Sequence, residues 1–171
     1  MNITLSIVKI TLIAFITTGL ITMSACNSEN AGNSIAISLS AEPSYKVKEA
    51  VFVTISVTNN THNNIKFLKW GTPFESMPTR DMFSVKKEDN QMLPYQGRMI
   101  KRGKPEASDY ISIQAGQTLK QSIDISKAYG INESGTYHVQ YKESYPVLEG
   151  SASNGLLTLP PTNSVSFQLV E

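Results

Sequence analysis

Strict alternation of apolar and polar residues constrains this chain more than any other feature. Residues 51–58 alternate β-branched apolar side chains with mostly hydroxyl-bearing ones. Because successive side chains of a strand point to opposite faces, such a segment buries one face and exposes the other. The same period recurs in residues 35–40, 119–125, 135–142 and 164–170. Each segment therefore predicts a half-buried β-strand.

Turn-forming residues separate these runs, and no window shows sustained helical periodicity beyond a single turn at 126–130. The pattern predicts an all-β fold, an immunoglobulin-like antiparallel β-sandwich of about seven to nine strands. The polar residues 59–64 predict a hairpin turn joining strand 51–58 to the next strand at 65–69. Gly135-x-Tyr137-x-Val139-x-Tyr141 fits a late strand of such a domain, where a tyrosine often anchors the preceding corner.

The N-terminus has the pattern of an export signal. An almost uninterrupted apolar run at residues 10–21 is shorter than the ~20 residues of a spanning helix. Met23-Ser24-Ala25-Cys26 follows and resembles a bacterial lipobox, with Cys26 the only cysteine of the chain. We expect a lipoprotein with a palmitate-type anchor at Cys26. A cleaved signal that leaves a free thiol and an uncleaved membrane anchor are the alternatives.

This interpretation divides the chain into a signal peptide (1–25), a flexible tether (26–34) and a β-sandwich domain (35–171). A long loop is expected at 143–163 because of its prolines and glycines. Asn27 after the cysteine favours the outer membrane of a bacterial cell envelope over retention in the inner membrane. Fifteen Lys and Arg against 14 Asp and Glu leave the chain nearly neutral, which argues against nucleic acid as a partner.

Residues 67–110 stand out from the strand framework. They hold the only tryptophan, Trp70, and a basic cluster containing Arg98, Lys101 and Arg102, followed by Tyr110. We expect these five residues to be candidates for binding a protein partner. The alternatives are a core position for Trp70, a solvated hairpin tip for the basic residues and a structural edge position for Tyr110.

An ordered set of motifs resembles one known domain. It is similar to the non-catalytic N-terminal domain of bacterial lysine-specific, deuterolysin-type zinc metalloendopeptidases over about residues 35–142. The motifs are Leu68-x-Trp70-x-Thr72-Pro73-x-Glu75, Phe83-x-Val85, Pro94-Tyr95-x-Gly97-Arg98 and Gly135-x-Tyr137-x-Val139-x-Tyr141. In that family a zinc domain with His-Glu-x-x-His follows. Here the only histidines, His62 and His138, lack that spacing, so we expect no metal site, no cofactor and no catalysis.

Three hypotheses of function follow. The first is a non-enzymatic envelope lipoprotein that binds a protein partner, with a metalloprotease as the candidate and an inhibitory, pro-domain-like or chaperone role. The second is a structural or carbohydrate-contacting surface module. The third, a metal-independent enzyme, has the least support because neither histidine lies near a suitable nucleophile or carboxylate pair in the sequence.

Overall fold

The computed structural model describes residues 35–142, 147–149 and 162–171. These residues form eleven strands and two short 3-10 turns, Pro73–Glu75 and Ala107–Asp109. The strands are β1 (Ile35–Ala41), β2 (Ser44–Lys46), β3 (Phe52–Asn59), β4 (Ile65–Leu68), β5 (Phe83–Lys87), β6 (Met92–Leu93), β7 (Tyr110–Ile113), β8 (Thr118–Asp124), β9 (Gly135–Tyr141), β10 (Val147–Glu149) and β11 (Ser164–Val170).

The strands form three sheets, ordered β1-β3-β8, β10-β4-β7 and β2-β11-β9-β5-β6. Burial alternates along the long strands, so that every second side chain of β1, β3 and β9 is buried. The buried side chains belong to a single apolar cluster drawn from all three sheets. The predicted all-β sandwich is therefore confirmed, and its core is held by burial of the apolar strand faces.

The strand count exceeds the prediction because β2, β6 and β10 have only two or three residues. Runs this short carry no readable period. β2 also departs from the antiparallel pattern, since it pairs in parallel with β11. After β1 the chain crosses at Pro43 to the other sheet, where the Pro43 carbonyl accepts a hydrogen bond from the Gln168 N–H at 3.0 Å.

The predicted hairpin between β3 and β4 is wrong. β3 pairs with β1 and β8, whereas β4 pairs with β7 and β10. The physical reason is Asn59, which is fully buried at the end of β3. Its amide donates to the carbonyls of Asn63 (2.8 Å) and Ile113 (3.0 Å), and its side-chain oxygen accepts from the Thr61 N–H. These bonds make residues 59–64 a corner between two sheets.

The segment 143–163 was expected to be a loop. Within it, Val147–Glu149 forms β10 and pairs antiparallel with β4. Thr162 and Asn163 are also described, and Asn163 bonds both the N–H (2.7 Å) and the carbonyl (2.9 Å) of Leu39. The rest of this segment, the predicted signal peptide (1–25) and the predicted tether (26–34) lie outside the described residues. In the described part, none of the helices is long and apolar enough to cross a membrane.

Two buried tyrosines fix the ends of strands by their hydroxyls. Tyr137 donates to the Glu133 carbonyl at 2.7 Å, which confirms the predicted tyrosine anchor at the corner before β9. Tyr129 accepts the N–H groups of Met82 (3.1 Å) and Phe83 (2.8 Å) and donates to Asp81 at 3.1 Å. Burial first, and then the nearby Asp81 carboxylate, raise the pKa of Tyr129 far above its ordinary value. Its hydroxyl is therefore a neutral partner for two backbone N–H groups.

The two tyrosines predict different costs of losing a hydroxyl. Tyr129→Phe leaves two buried N–H groups unsatisfied, so we expect a loss of about 2–4 kcal/mol in the free energy of unfolding. Tyr137→Phe removes one bond to one carbonyl, and we expect about 1 kcal/mol. Urea unfolding of the two variants checks the order. Equal losses would contradict the role given to Tyr129.

Candidate functional site

The site is built on a sharp turn after β4. The Thr72 hydroxyl accepts the Phe74 N–H at 3.2 Å and donates to the Lys69 carbonyl at 2.6 Å. Pro73 begins the 3-10 turn, where its fixed φ and missing N–H are no disadvantage. Ser76 ends the turn in the left-handed conformation. Thr72-Pro73, noted as a motif in the sequence, thus starts a short turn that directs the Glu75 side chain inward.

Glu75 joins three segments of this region. One carboxylate oxygen accepts the Gly71 N–H and the Thr79 hydroxyl, each at 2.5 Å. The other oxygen is paired with the Arg102 guanidinium. The Glu75 side chain is only 7% exposed. A buried carboxylate requires such partners, and removing them would leave a desolvated charge. Glu75 is therefore the polar centre of the site.

Arg102 also covers Trp70, with its guanidinium carbon 5.2 Å from the centre of the indole ring. Trp70 is half-buried, between the two sequence-based alternatives of core residue and exposed anchor. Its Nε1–H is buried and has no hydrogen-bond partner among the described residues. The nearby Asp109 accepts the Glu106 N–H at 2.9 Å. This bond first, and then Trp70, Lys69 and Arg102, hold the pKa of Asp109 below its ordinary value.

The indole Nε1–H does not form a hydrogen bond with the Asp109 carboxylate, because a hydrogen bond requires both distance and alignment. Asp109 is a close neighbour of the indole, and this proximity contributes to the lowered pKa of Asp109. The main contact of Trp70 at this site is therefore with the Arg102 guanidinium.

Two loops lie side by side next to this centre. The Ile100 N–H donates to the Thr79 carbonyl at 3.3 Å, and the Tyr95 hydroxyl lies 3.1 Å from the Pro78 carbonyl and 2.7 Å from the Arg98 carbonyl. Gly97 allows this approach, because a Cβ there would lie 2.5 Å from the Tyr95 hydroxyl. The loops are thus held by one backbone hydrogen bond and by the Tyr95 hydroxyl.

Exposed apolar side chains lie next to exposed basic side chains on these loops. Met99 is 82% exposed, Met77 53% and Ile100 44%. Arg98, Lys101 and Lys104 are exposed, and within residues 35–142, 147–149 and 162–171 none of these three has an ion-pair partner. We call the six residues Met77, Arg98, Met99, Ile100, Lys101 and Lys104 the loop surface. Met77, Met99 and Ile100 are three of the six large hydrophobic side chains that are exposed in the described residues.

The five predicted binding residues fall into three groups. Trp70 and Arg102 are in direct contact, and Arg102 is turned inward by Glu75. Arg98 and Lys101 are exposed on the loop surface. Tyr110 is half-buried on β7, with the Lys66 ammonium 5.0 Å from its ring centre. The structure thus separates the residues of this predicted set that contact one another from those that are exposed, and their role in binding a partner stays a prediction.

The sequence analysis missed Glu75 as the centre and Met77, Met99 and Ile100 as exposed residues. A usable signal was present for the last two. In Arg98-Met99-Ile100-Lys101, two apolar residues lie between two cations in a stretch without strand periodicity. For Glu75 no sequence signal exists, because its partners lie up to 27 residues away in the chain.

Away from this site, a polar depression lies on the exposed face of β5, β9 and β11. Ser84, Lys86, Asn90, His138, Gln140 and Ser164 line it. The His138 Nδ1 lies 2.7 Å from the Ser166 hydroxyl, and His62 is exposed in the corner at 59–64. In the described parts of the chain, no three His, Cys, Asp or Glu side chains are grouped as metal ligands. This face is polar, and no aromatic residue lines the depression.

The comparisons with known proteins point to proteases. No protein-family model matches the chain. It is 33% identical over 104 residues to an extracellular protease of Aeromonas hydrophila, covering 60% of this chain and 29% of that protein. It is 29% identical over 99 residues to a neutral protease 2 homolog of Blastomyces gilchristii, covering 57% of this chain and 27% of that protein. A neutral protease 2 homolog of Coccidioides posadasii, MEP5, is 24% identical over 115 residues, covering 66% of this chain and 30% of that protein.

The chain therefore spans less than a third of the length of these curated relatives. Its relationship to protease-named proteins is confirmed at low identity over somewhat more than half of its own length. Among solved structures, a beta-glucosidase from Listeria innocua in complex with glucose gives a TM-score of 0.40 at 12% identity, covering 81% of this chain and 16% of that one. A likeness this weak carries no argument.

The buried Glu75 carboxylate gives a testable prediction for the site. Glu75→Ala leaves Gly71 N–H and the Arg102 guanidinium without their acceptor, and we expect a loss of about 2–3 kcal/mol in the free energy of unfolding. Glu133→Ala is the matched control, because Glu133 pairs with Lys87 at 2.9 Å but its side chain is 75% exposed. There we expect little or no change in the free energy of unfolding, because solvent screens an exposed ion pair.

Urea unfolding followed by tryptophan fluorescence measures both variants. Because Trp70 is the only tryptophan, its emission reports directly on this site. We expect the emission of folded Glu75→Ala to shift as Arg102 loses its anchor over the indole, and that of Glu133→Ala to stay unchanged. If both variants have the same stability and the same emission, the central role given to Glu75 is contradicted.

Proposed function

We propose that this protein is a non-enzymatic, protein-binding β-sandwich whose partner is a protease of the zinc metalloendopeptidase type. The observation that carries the proposal is its relationship to a limited part of proteins named as proteases. More than two thirds of each of those relatives lies beyond the matched region. In our proposal that remainder contains the catalytic unit, and the shared region contacts it. The present protein would make the equivalent contact with a separate protease.

The loop surface supports binding as the role. Three exposed apolar side chains and three unpaired cations lie on loops that are fixed by the sandwich. Binding residues commonly lie on loops positioned by a rigid scaffold, and methionines adapt well to a partner. Our proposal assigns no catalytic role to His62 or His138. The contact would inhibit the protease or assist its folding, as a detached pro-domain would.

Association with a protease is the direct test. We expect the full-length protein to form a complex with the Aeromonas hydrophila extracellular protease, measured by co-elution in size-exclusion chromatography and by surface plasmon resonance. The protein should also change either the rate of peptide hydrolysis or the yield of refolded protease. Absence of a complex at about 10 µM would mean that the binding free energy is less favourable than about −7 kcal/mol, and this result would contradict the proposal. Retention on purified peptidoglycan without protease binding would favour a structural or carbohydrate-contacting module.

We further propose that the protein is anchored in the bacterial cell envelope, on the outer membrane, by lipid on Cys26. The lipobox-like residues before Cys26 and the absence of a second cysteine support this. Several acyl chains on one residue would hold a membrane firmly, whereas one chain would not.

Metabolic labelling tests the anchor. In a bacterial host given an alkyne-bearing palmitate analogue, we expect label on the wild-type protein, partition into the detergent phase of Triton X-114 and recovery with the outer membrane. Cys26→Ser should lose the label and move to the aqueous phase. Ser24→Thr, which keeps the cysteine, is the control for expression. A labelled Cys26→Ser protein, or an unlabelled wild type, would refute the anchor.

A further inference from the structure

The loop surface has a defined chemistry that goes beyond a general capacity to bind protein. We propose that it binds an acidic segment of the partner in which carboxylates flank one or more apolar side chains. This inference deepens the proposed function, because it names the kind of segment that the protease partner presents.

The charge of the loop surface favours an acidic partner. Of the four basic residues at 98, 101, 102 and 104, only Arg102 has an ion-pair partner among the described residues, since it pairs with Glu75 and covers Trp70. Arg98, Lys101 and Lys104 are exposed without ion-pair partners in the described ranges. The nearby Asp109 carboxylate accepts the Glu106 N–H and lies 4.0 Å from the Lys69 ammonium. The surface therefore offers three cations to external carboxylates.

The apolar side chains lie between these cations. Met99 and Ile100 are flanked by Arg98 and Lys101 in the chain, and Met77 lies on the adjacent loop. A fully acidic segment would satisfy the cations but leave these side chains in water. A segment that alternates carboxylates with apolar residues satisfies both, because apolar contact removes exposed surface from water while charge complementarity orients the partner.

The loops are already held in place before binding. Gly97 packs under the Tyr95 hydroxyl, the Ile100 N–H is bonded to Thr79, and Arg102 is fixed by Glu75. A surface organised in advance loses little conformational freedom when a partner binds. The same rigidity favours a polypeptide over a lipid surface. Membrane-binding segments place Trp, Phe or Leu at the interface, whereas Trp70 here lies beneath Arg102.

Three variants and two peptides test the inference with full-length protein. The first variant is Arg98→Glu, Lys101→Glu, Lys104→Glu. The second replaces the same residues by Gln, and serves if charge reversal impairs folding. The matched control is Lys46→Glu, Lys86→Glu, Lys120→Glu, which alters the net charge equally at exposed lysines on β2, β5 and β8. Urea unfolding confirms that each variant is folded.

The probes are a peptide of alternating glutamate and leucine and a peptide of alternating glutamate and serine. Trp70 fluorescence and fluorescence anisotropy of labelled peptide report binding. We expect the glutamate–leucine peptide to bind the wild type and the control equally, and the charge-reversed variant at least about 10-fold more weakly. Affinity should fall with salt, since exposed charges are screened beyond about 10 Å at 0.1 M. The affinity of the glutamate–serine peptide should be at least about 5-fold lower than that of the glutamate–leucine peptide.

The protease and lipid vesicles complete the test. If the protease binds wild type and charge-reversed protein equally, the proposed function stands and this inference is overturned. If the glutamate–leucine peptide binds as expected but the protease does not, this inference stands and the proposed partner is wrong. Binding to phosphatidylglycerol vesicles in place of the peptide, or equal binding of both peptides, overturns the inference. Failure of every probe overturns both.

Discussion

The fold depends on burying the apolar faces of its strands without a covalent cross-link. The chain has one cysteine, so no intramolecular disulfide joins the sheets. Stability must come from apolar burial across the sandwich and from hydrogen bonds to the polar groups that are buried with it. Most of the core is aliphatic, and Phe83, Tyr129 and Tyr141 add edge-to-face ring contacts. The buried Tyr129 hydroxyl has a particular place in this arrangement, because it satisfies the first N–H groups of β5 inside the core.

This constraint explains where the chain departs from simple strand pairing. Consecutive strands β3 and β4 cannot form a hairpin while β1 and β8 occupy both edges of β3. The buried Asn59 amide allows the chain to leave one sheet and enter the next without leaving its backbone groups unsatisfied. The two loops on either side of β5 and β6, residues 69–82 and 94–106, meet at the Glu75 carboxylate, a polar centre outside the apolar core.

The sequence was a good guide to the strands and a poor guide to their partners. Alternation located β3, β9 and β11 because the period of two is imposed by the backbone of each strand alone. It also predicted a tyrosine anchor on β9, and the structure identifies that residue as Tyr137, whose bond reaches only four residues back. The pairing of β3, the internal use of Arg102 and the role of Glu75 depend on contacts between residues far apart in the chain, and no local pattern encodes them.

The distinction between Arg102 and its basic neighbours is the part of the site that only a structure could supply. In the sequence, Arg98, Lys101, Arg102 and Lys104 form one cluster of equal members. In the fold, Arg102 is committed to a buried carboxylate and an indole, and its charge is compensated within the protein. That commitment fixes the loop from which the other three cations project. A planar guanidinium suits this role better than an ammonium, because it can pair at its edge with Glu75 while its face covers Trp70. The loop surface is therefore defined as much by the cation that is paired within the protein as by the three that have no ion-pair partner in the described residues.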